Sequence, residues 1–328
     1  MAPQRRSIEE EMTVSKYLRL ILVILMLLSL LILVPSGSKA EIVTLPLEER
    51  AQVPAPQESG YAETVNPETG RPEWTYEDPS LSVRITTGER LNTTCYVAWV
   101  RIADASQIRA TFATSFYAQD GKVYATNLAK RQNAVLAING DYYSNPKFAS
   151  IGYVCRQGIV YRTYTTLFIN GENQVCHFDV LVIDDNGDFH IEQNAEPDDL
   201  RNLPYTPING FTFGPALIID GEEVTEFYNT DYGPNANARR MCIAQTGPLE
   251  YMCVCCDGEQ DGCKGLTIYE FADLVYDLGE GSIQNAYNLD GGGSTHMIFH
   301  GKMLNTPGAG GARQIDDMIY FASAYEPD

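Results

Sequence analysis

Basic side chains are scarce in this 328-residue chain: Lys and Arg total 23 against 43 Asp and Glu, a formal net charge of -20. A surface that acidic repels nucleic acid and anionic lipid at long range, which argues against a nucleic-acid partner, although a local basic pocket can still hold an anion. The cysteine-rich stretch Cys253-Val254-Cys255-Cys256-Asp257-Gly258-Glu259-Gln260-Asp261-Gly262-Cys263 has one CxxC pair, Cys253 and Cys256, but no second such pair and no nearby His, so it does not read as a zinc knuckle. Its cysteines read as buried thiols or, for Cys256 or Cys263, as disulfide partners in an exported chain. A GxSxG elbow, a GKS/T phosphate loop and a GxGxxG fingerprint are all missing, which sets aside serine hydrolases, P-loop NTPases and dinucleotide enzymes. There is no internal repeat.

One long apolar run is present. From Leu20 to Val34 only Ser29 interrupts it, and Lys16, Arg19, Arg5 and Arg6 precede it. Cations ahead of such a run keep residues 1–17 cytoplasmic and send the chain beyond the run across the membrane. The run is about 15 residues, short of the ~20 that span a bilayer comfortably. Two readings stay open. Residues 18–35 are a transmembrane signal anchor, which leaves the C-terminal domain extracytoplasmic at the cell membrane. Alternatively they are a signal peptide cleaved after Ala40, at Ser38-Lys39-Ala40, and the protein is secreted.

Residues 36–80 are rich in Pro, Glu, Gly and Ser and read as a flexible linker. From 81 to 328 the texture is that of one domain of short strands. Tyr96–Ile102 is β-rich, and Leu181-Val182-Ile183 leads through Asp185-Asn186-Gly187 to Phe189-His190-Ile191, a predicted hairpin. A second hairpin is predicted where Asp220-Gly221 follows Ala216–Ile219. A short helix is expected over Thr126–Gln132. A longer one starts at Thr267, with Ile268, Phe271, Ala272, Val275 and Leu278 on one face, a Thr267/Glu270 capping box and Gly279 as a stop. Strands outnumber helices without βαβ alternation, so the fold class is α+β, with mixed β-sheets and a few flanking helices.

Polar residues concentrate directly after apolar strands in three places. These are Asn139-Gly140-Asp141-Tyr142-Tyr143-Ser144, the segment around Arg240, and Asn288-Leu289-Asp290-Gly291-Gly292-Gly293-Ser294-Thr295. Strand ends on a rigid scaffold present side chains to ligands. Three successive glycines allow either a tight turn or a nest of N–H groups that holds an anion, with the Ser294 and Thr295 hydroxyls alongside.

These segments, with FGPALIIDGE, RMCIAQTG, GLTIYEFADL and NLDGGGSTHMIFHGKMLNTPG in that order, resemble the successive motifs of the phosphodiester glycosidase family over roughly Tyr96 to Phe321. The resemblance implies hydrolysis of a sugar-1-phosphodiester to free sugar and phosphomonoester, on an envelope or extracellular glycan. A phosphorylated glycan is then the substrate and the membrane a partner through residues 18–35. The alternative is a non-catalytic phosphoglycan-binding or exopolysaccharide assembly protein.

The resemblance also nominates residues. Asp290, Asp141 and Glu270 are the candidate catalytic carboxylates. Arg240, Arg313, Asn139, Asn288, Gly291, Gly292, Gly293, Ser294 and Thr295 are the candidate groups for phosphate and substrate. Each has a plainer reading: Glu270 as helix cap only, Asp141, Asn139 and Asn288 as turn formers, Arg240 paired with a core carboxylate, Arg313 paired with Asp316 or Asp317. Two positions depart from the family pattern, Glu259 and Ala312, where an arginine and an acid are expected. No cofactor is required by this chemistry. The acidic loops could take a divalent cation, but no ion-binding loop is readable.

Overall fold

Alternation along single strands organises the molecule. In the computed structural model, Met241 and Ile243 of the strand Arg240–Gly247 enter one apolar cluster while Cys242 and Ala244 enter another on the opposite face. The neighbouring strand Glu250–Cys256 does the same: Cys253 and Cys255 face one cluster, Met252, Val254 and Cys256 the other. Cysteines here are core-filling side chains on a sheet buried on both faces. The structure describes residues 41–327 apart from 115–116, 118–120, 143–151, 165, 170–171, 176–178, 228–232, 261 and 309. The apolar segment 18–35, the Ala40 processing site, Tyr143, Ser144 and Cys176 lie outside the described residues. Among the described residues no helix is long and apolar enough to cross a membrane.

The two strands belong to a nine-stranded sheet that runs Glu222–Glu223, Ala216–Ile219, Asn285–Asn288, Arg240–Gly247, Glu250–Cys256, Thr93–Ile102, Leu81–Arg90, Pro72–Glu77 and Tyr61–Val65. The helix Ile268–Gly279 buries Phe271, Ala272 and Val275 in the cluster on one face of this sheet. Two five-stranded sheets and three two-stranded ones account for the remaining strands. One five-stranded sheet has the order Lys302–Met303, Met297–Phe299, Ala134–Asn139, Asp317–Ala322, Ile108–Phe112; the other contains Gly152–Arg156, Pro207–Phe211 and the hairpin Asp179–Asp184/Phe189–Gln193. The first contributes Ile138 and Ile319, and the second Leu181 and Phe211, to the cluster on the opposite face of the large sheet. The α+β class expected from sequence is what forms, with several sheets, three α-helices among the described residues and a single compact body from Ile42 to Glu326, but the pairings within the three large sheets are all antiparallel rather than mixed.

Both expected hairpins and both expected helices are present, the short helix at Ala125–Arg131. The linker expectation fails for its latter part. Tyr61–Val65 and Pro72–Glu77 pair with each other, and the second pairs with Leu81–Arg90 as an integral edge of the large sheet. Composition was misleading because Pro67 and Gly70 sit in the turn that connects the two strands and Pro72 opens the second. In that turn Asn66 Oδ1 accepts from the N–H groups of Glu68 and Thr69, while Tyr76 is fully buried.

Cys95 and Cys256 face each other across adjacent strands, Sγ to Sγ 2.7 Å. The N–H of Asp257 donates to the Thr94 carbonyl, so Cys95/Cys256 is the non-hydrogen-bonded pair, in which side chains approach most closely. Protein folded under oxidising conditions is expected to carry a Cys95–Cys256 disulfide, a mass about 2 Da below the reduced chain. With the two 161 positions apart in sequence, breaking that bond should lower stability by about 5 kcal/mol in the chain-entropy account. Alkylation of both thiols in denatured, unreduced protein would show that no bond forms.

Candidate active site

Asn139 closes the strand Ala134–Asn139 of a small sheet, whereas Asn288 closes Asn285–Asn288 of the large one. The glycine loop after Asn288 leads into Met297–Phe299, back in the small sheet, so it bridges the two at one end. Hydrogen bonds fix the bridge. Asn139 Nδ2 donates to the Asp290 carbonyl at 2.7 Å, its Oδ1 accepts from the His296 N–H at 3.0 Å, and the Asp290 N–H reaches the Gly140 carbonyl at 3.2 Å. Asn139 is thus the buried clasp between the first polar loop and the last.

Around that clasp lies a narrow cleft lined by Lys122, Asn139, Asp141, Tyr142, Asp290, Ser294, Arg313 and Asp316, among others. Asn139, Asp141, Asp290, Ser294 and Arg313, nominated from segments as much as 174 residues apart (139 to 313), therefore meet in one place. The guanidinium of Arg313 lies directly over Gly293, where an added Cβ would come within 2.9 Å of Nη2. Its Nη1 is 3.4 Å from the Ser294 hydroxyl. A side chain at Gly293 would displace the arginine, which gives that glycine a specific reason.

Of the tight turn and the N–H nest that the three glycines allow, three N–H groups of this loop make the turn. Gly292 donates to the Arg239 carbonyl, Ser294 to Gly291 and Thr295 to Gly292, so these donors close a 3-10 turn and dock the loop rather than face a ligand. Thr295 is buried and does not line the cleft.

Asp290 is half-buried, and its carboxyl is pushed up to about 6. Burial is the main cause. Hydrogen bonding from Ser294, the charge of Arg313 and the Gly291 N–H oppose it, and Asp316 adds to it. Asp141 is held from two sides: Arg156 is 3.3 Å from Oδ1, and the Thr212 N–H donates to Oδ2 at 3.1 Å. Arg156 is wholly buried against the Phe211 ring, 4.0 Å from its centroid, and pairs also with Asp317. Burial and the nearby Asp141 drive the Asp317 carboxyl upward, while Arg156 draws it back. Gly140 passes directly over Asp317, leaving no room for a Cβ.

Lys122 supplies a second cation, 3.1 Å from the Tyr142 hydroxyl and 3.4 Å from Asp316 Oδ1. Burial works against its charge, but the Tyr142 and Asp316 contacts outweigh that and its pKa is raised. Sequence reasoning passed over Lys122 and Arg156. For Arg156 there was a signal, an arginine ending the otherwise uncharged run Gly152–Arg156; for Lys122 there was none.

Besides Thr295 and the three glycines, Arg240, Asn288 and Glu270 do not line the cleft. Arg240 is buried and donates to the carbonyls of Leu266 at 3.0 Å, Ala236 at 2.7 Å and Gly233 at 3.4 Å; burial lowers its pKa to about 10. It ties a loop to the sheet and does not line the cleft. Asn288 donates to the Gly214 carbonyl at 2.7 Å and is also structural. Glu270 accepts from the Thr267 N–H at 2.8 Å and hydroxyl at 2.9 Å, and its own N–H donates to Thr267 Oγ1, which is a complete capping box. Glu270→Ala is accordingly expected to cost about 1 kcal/mol of stability with kcat/KM changed less than about twofold. A large loss of turnover at unchanged stability would return Glu270 to the site. Among the described residues, no group of three or more His, Cys, Asp or Glu is arranged to hold a metal ion.

Comparison with known proteins bears on the family and the fold. A family model described as phosphodiester glycosidase matches residues 132–322. The catalytic domain of zebrafish N-acetylglucosamine-1-phosphodiester alpha-N-acetylglucosaminidase, in a structure auto-inhibited by its pro-peptide, superposes with a TM-score of 0.59 at 14% identity, covering 87% of this chain and 94% of that one. A hypothetical protein from Synechocystis has a TM-score of 0.53 at 16% identity over 80% of this chain and 68% of its own. An uncharacterized SPbeta prophage-derived protein of Bacillus subtilis, YomE, is 27% identical over 228 residues, which is 66% of this chain but only 34% of that protein.

Proposed function

Because this chain belongs to the phosphodiester glycosidase family, we propose that it hydrolyses a glycosyl phosphodiester, releasing free sugar and a phosphomonoester. One observation carries the reading: the carboxylates of Asp141 and Asp290 share a cleft with the cations of Arg313 and Lys122. Cleavage between the anomeric carbon and the phosphate oxygen puts positive charge on the ring and negative charge on the departing phosphate. That leaving group, with a second pKa of about 6, needs little protonation but does need fixed donors. Arg313 and Lys122 fit that role, the planar guanidinium taking two phosphate oxygens at once. Asp141, oriented by Arg156 and the Thr212 N–H, steadies the oxocarbenium-like ring.

In this scheme water adds its oxygen to the anomeric carbon and gives its proton to the Asp290 carboxylate, while the C–O electron pair leaves with the phosphate. The apolar run 20–34 and the cations before it support action on the outer face of a membrane, on a wall or capsular polymer. No step calls for a cofactor.

The assay is release of reducing sugar and phosphomonoester in equal amounts from a glycosyl phosphodiester. Asp290 must be ionised to accept the proton, so kcat/KM should rise about tenfold per pH unit below about 6 and level off above it. The phosphodiester does not titrate there, so the limb belongs to the enzyme. A profile that is flat or falling through pH 6 would remove Asp290 as proton acceptor. Binding of the substrate with no release at any pH would favour the phosphoglycan-binding alternative.

A further inference from the structure

A second cavity, of about 180 Å³, lies away from the catalytic cleft, between the edge strand Tyr61–Val65 with its neighbour Pro72–Glu77 and the hairpin formed by Met297–Phe299 and Lys302–Met303. Its walls are rings: Tyr61, Trp74, Phe299 and His300. Three of them hold one another in place, and Trp74 lies against Tyr96. His300 stacks on Tyr61 with centroids 3.8 Å apart and planes 9° from parallel, and Phe299 meets Tyr61 edge-on at 5.2 Å. His300 Nε2 is 2.9 Å from Glu58 Oε2, and the residue sits in the left-handed region at φ 49°. A non-glycine residue there costs conformational energy, and the ring stack and the Glu58 contact hold it in place. Burial, together with the nearby Tyr76, Glu58 and Asp78, raises the pKa of the Tyr61 hydroxyl, which stays a donor at any ordinary pH. At the rim stand Glu58 and Glu63, which accept hydrogen bonds, and Lys302, which donates them.

These features narrow the ligand. Aromatic walls take the apolar C–H face of a ring, and the mixed rim takes groups that both donate and accept. A phosphate would meet Glu58 and Glu63; a compact cation would meet Lys302. The volume is below the ~300–1,000 Å³ of sites for drug-sized molecules and suits one small ring. Hydroxyl groups on a six-membered ring satisfy every condition at once. We propose that this cavity binds a single uncharged sugar unit of a glycan, as a non-catalytic subsite. Its relation to the substrate rests on the hydrolase reading above, since a polymer held here would be presented to the cleft by the same polypeptide. The binding itself does not rest on that reading.

Tryptophan supplies the test, because the chain has only two, Trp74 and Trp99. In the full-length Trp99→Phe protein, Trp74 emission reports the cavity alone. Titration with cellohexaose, maltohexaose and chitohexaose is expected to give a saturable change with at least one of them. His300→Ala and Lys302→Ala should each weaken that binding by about tenfold or more, equivalent to about 1.4 kcal/mol. Asp290→Asn, which stops turnover, should leave it in place. No saturable change up to millimolar concentration with any of the three sugars, or binding indifferent to both substitutions, overturns the proposal while leaving the hydrolase reading untouched. Binding without turnover of any phosphodiester would sink the hydrolase reading and keep the subsite.

Discussion

Asp290→Asn is expected to lose about 10³-fold in kcat and yet to unfold at a higher temperature than the parent protein at pH 7–8. The activity loss follows from removing the proton acceptor while keeping shape and the Ser294 hydrogen bond. The gain in stability follows from linkage. The Asp290 carboxyl titrates near 6 in the folded protein, against about 3.9 in an unfolded chain. The folded state therefore holds this proton more tightly than the unfolded state does. The stability that the proton contributes is complete below about pH 4 and is lost as pH rises through 6. At neutral pH the ionised group is a net cost of about 1–3 kcal/mol, the upper figure being the full shift and the lower allowing for water reaching a half-buried group. Asparagine carries no such cost. Thermal unfolding of the two proteins from pH 3.5 to 8 should show curves that coincide in acid and diverge through the window 4–6. A variant equally stable at all pH values would mean that the cleft does not penalise this charge, and with it would go the reason for assigning Asp290 the proton transfer.

Arg156→Met should be the most destabilising single change in the site. Arg156 bridges Asp141 and Asp317, and all three side chains are at most 1% exposed. Removing one member of a buried charge network leaves the others uncompensated, at about 3–5 kcal/mol, a large part of the ~5–15 kcal/mol that holds a domain together. Urea unfolding would show the midpoint collapse, and whatever folds should have lost turnover because Asp141 is no longer oriented. Adding Asp317→Asn removes one of the two stranded carboxylates and should restore part of the stability but not the activity. If Arg156→Met unfolds at the parental urea concentration, Arg156 does not organise the cleft.

Where the chain carries its own local instructions, the sequence could be read directly. The helix Ile268–Gly279 was legible because its apolar spacing, its Thr267/Glu270 cap and its polar outer face all agree. The hairpin across Asp185-Asn186-Gly187 was legible from its turn chemistry. The same local strength misled at Glu270, which the resemblance nominated for catalysis: the helix N-terminus takes up its carboxylate. Arg240 misled for a different reason. An arginine's partners at 233, 236 and 266 are backbone carbonyls, which leave no trace in residue identity. In residues 61–77 the Pro, Glu and Gly content hid an alternating aromatic strand pair that becomes stable only against the rest of a sheet.

Charge balance, strand-and-turn texture, the family motifs and the nomination of Asp141, Asp290, Asn139, Ser294 and Arg313 were all fixed by the order of residues, because each depends on near neighbours or on a pattern matched position by position. The tertiary structure decided the rest: that Lys122 and Asp316 join the cleft, that Arg156 anchors Asp141, that Gly292, Ser294 and Thr295 turn their N–H groups to backbone carbonyls, and that the N-terminal strands wall a second cavity. Those outcomes depend on which distant strand ends are brought together when two sheets dock, and burial and long-range pairing exist only after the chain has closed on itself.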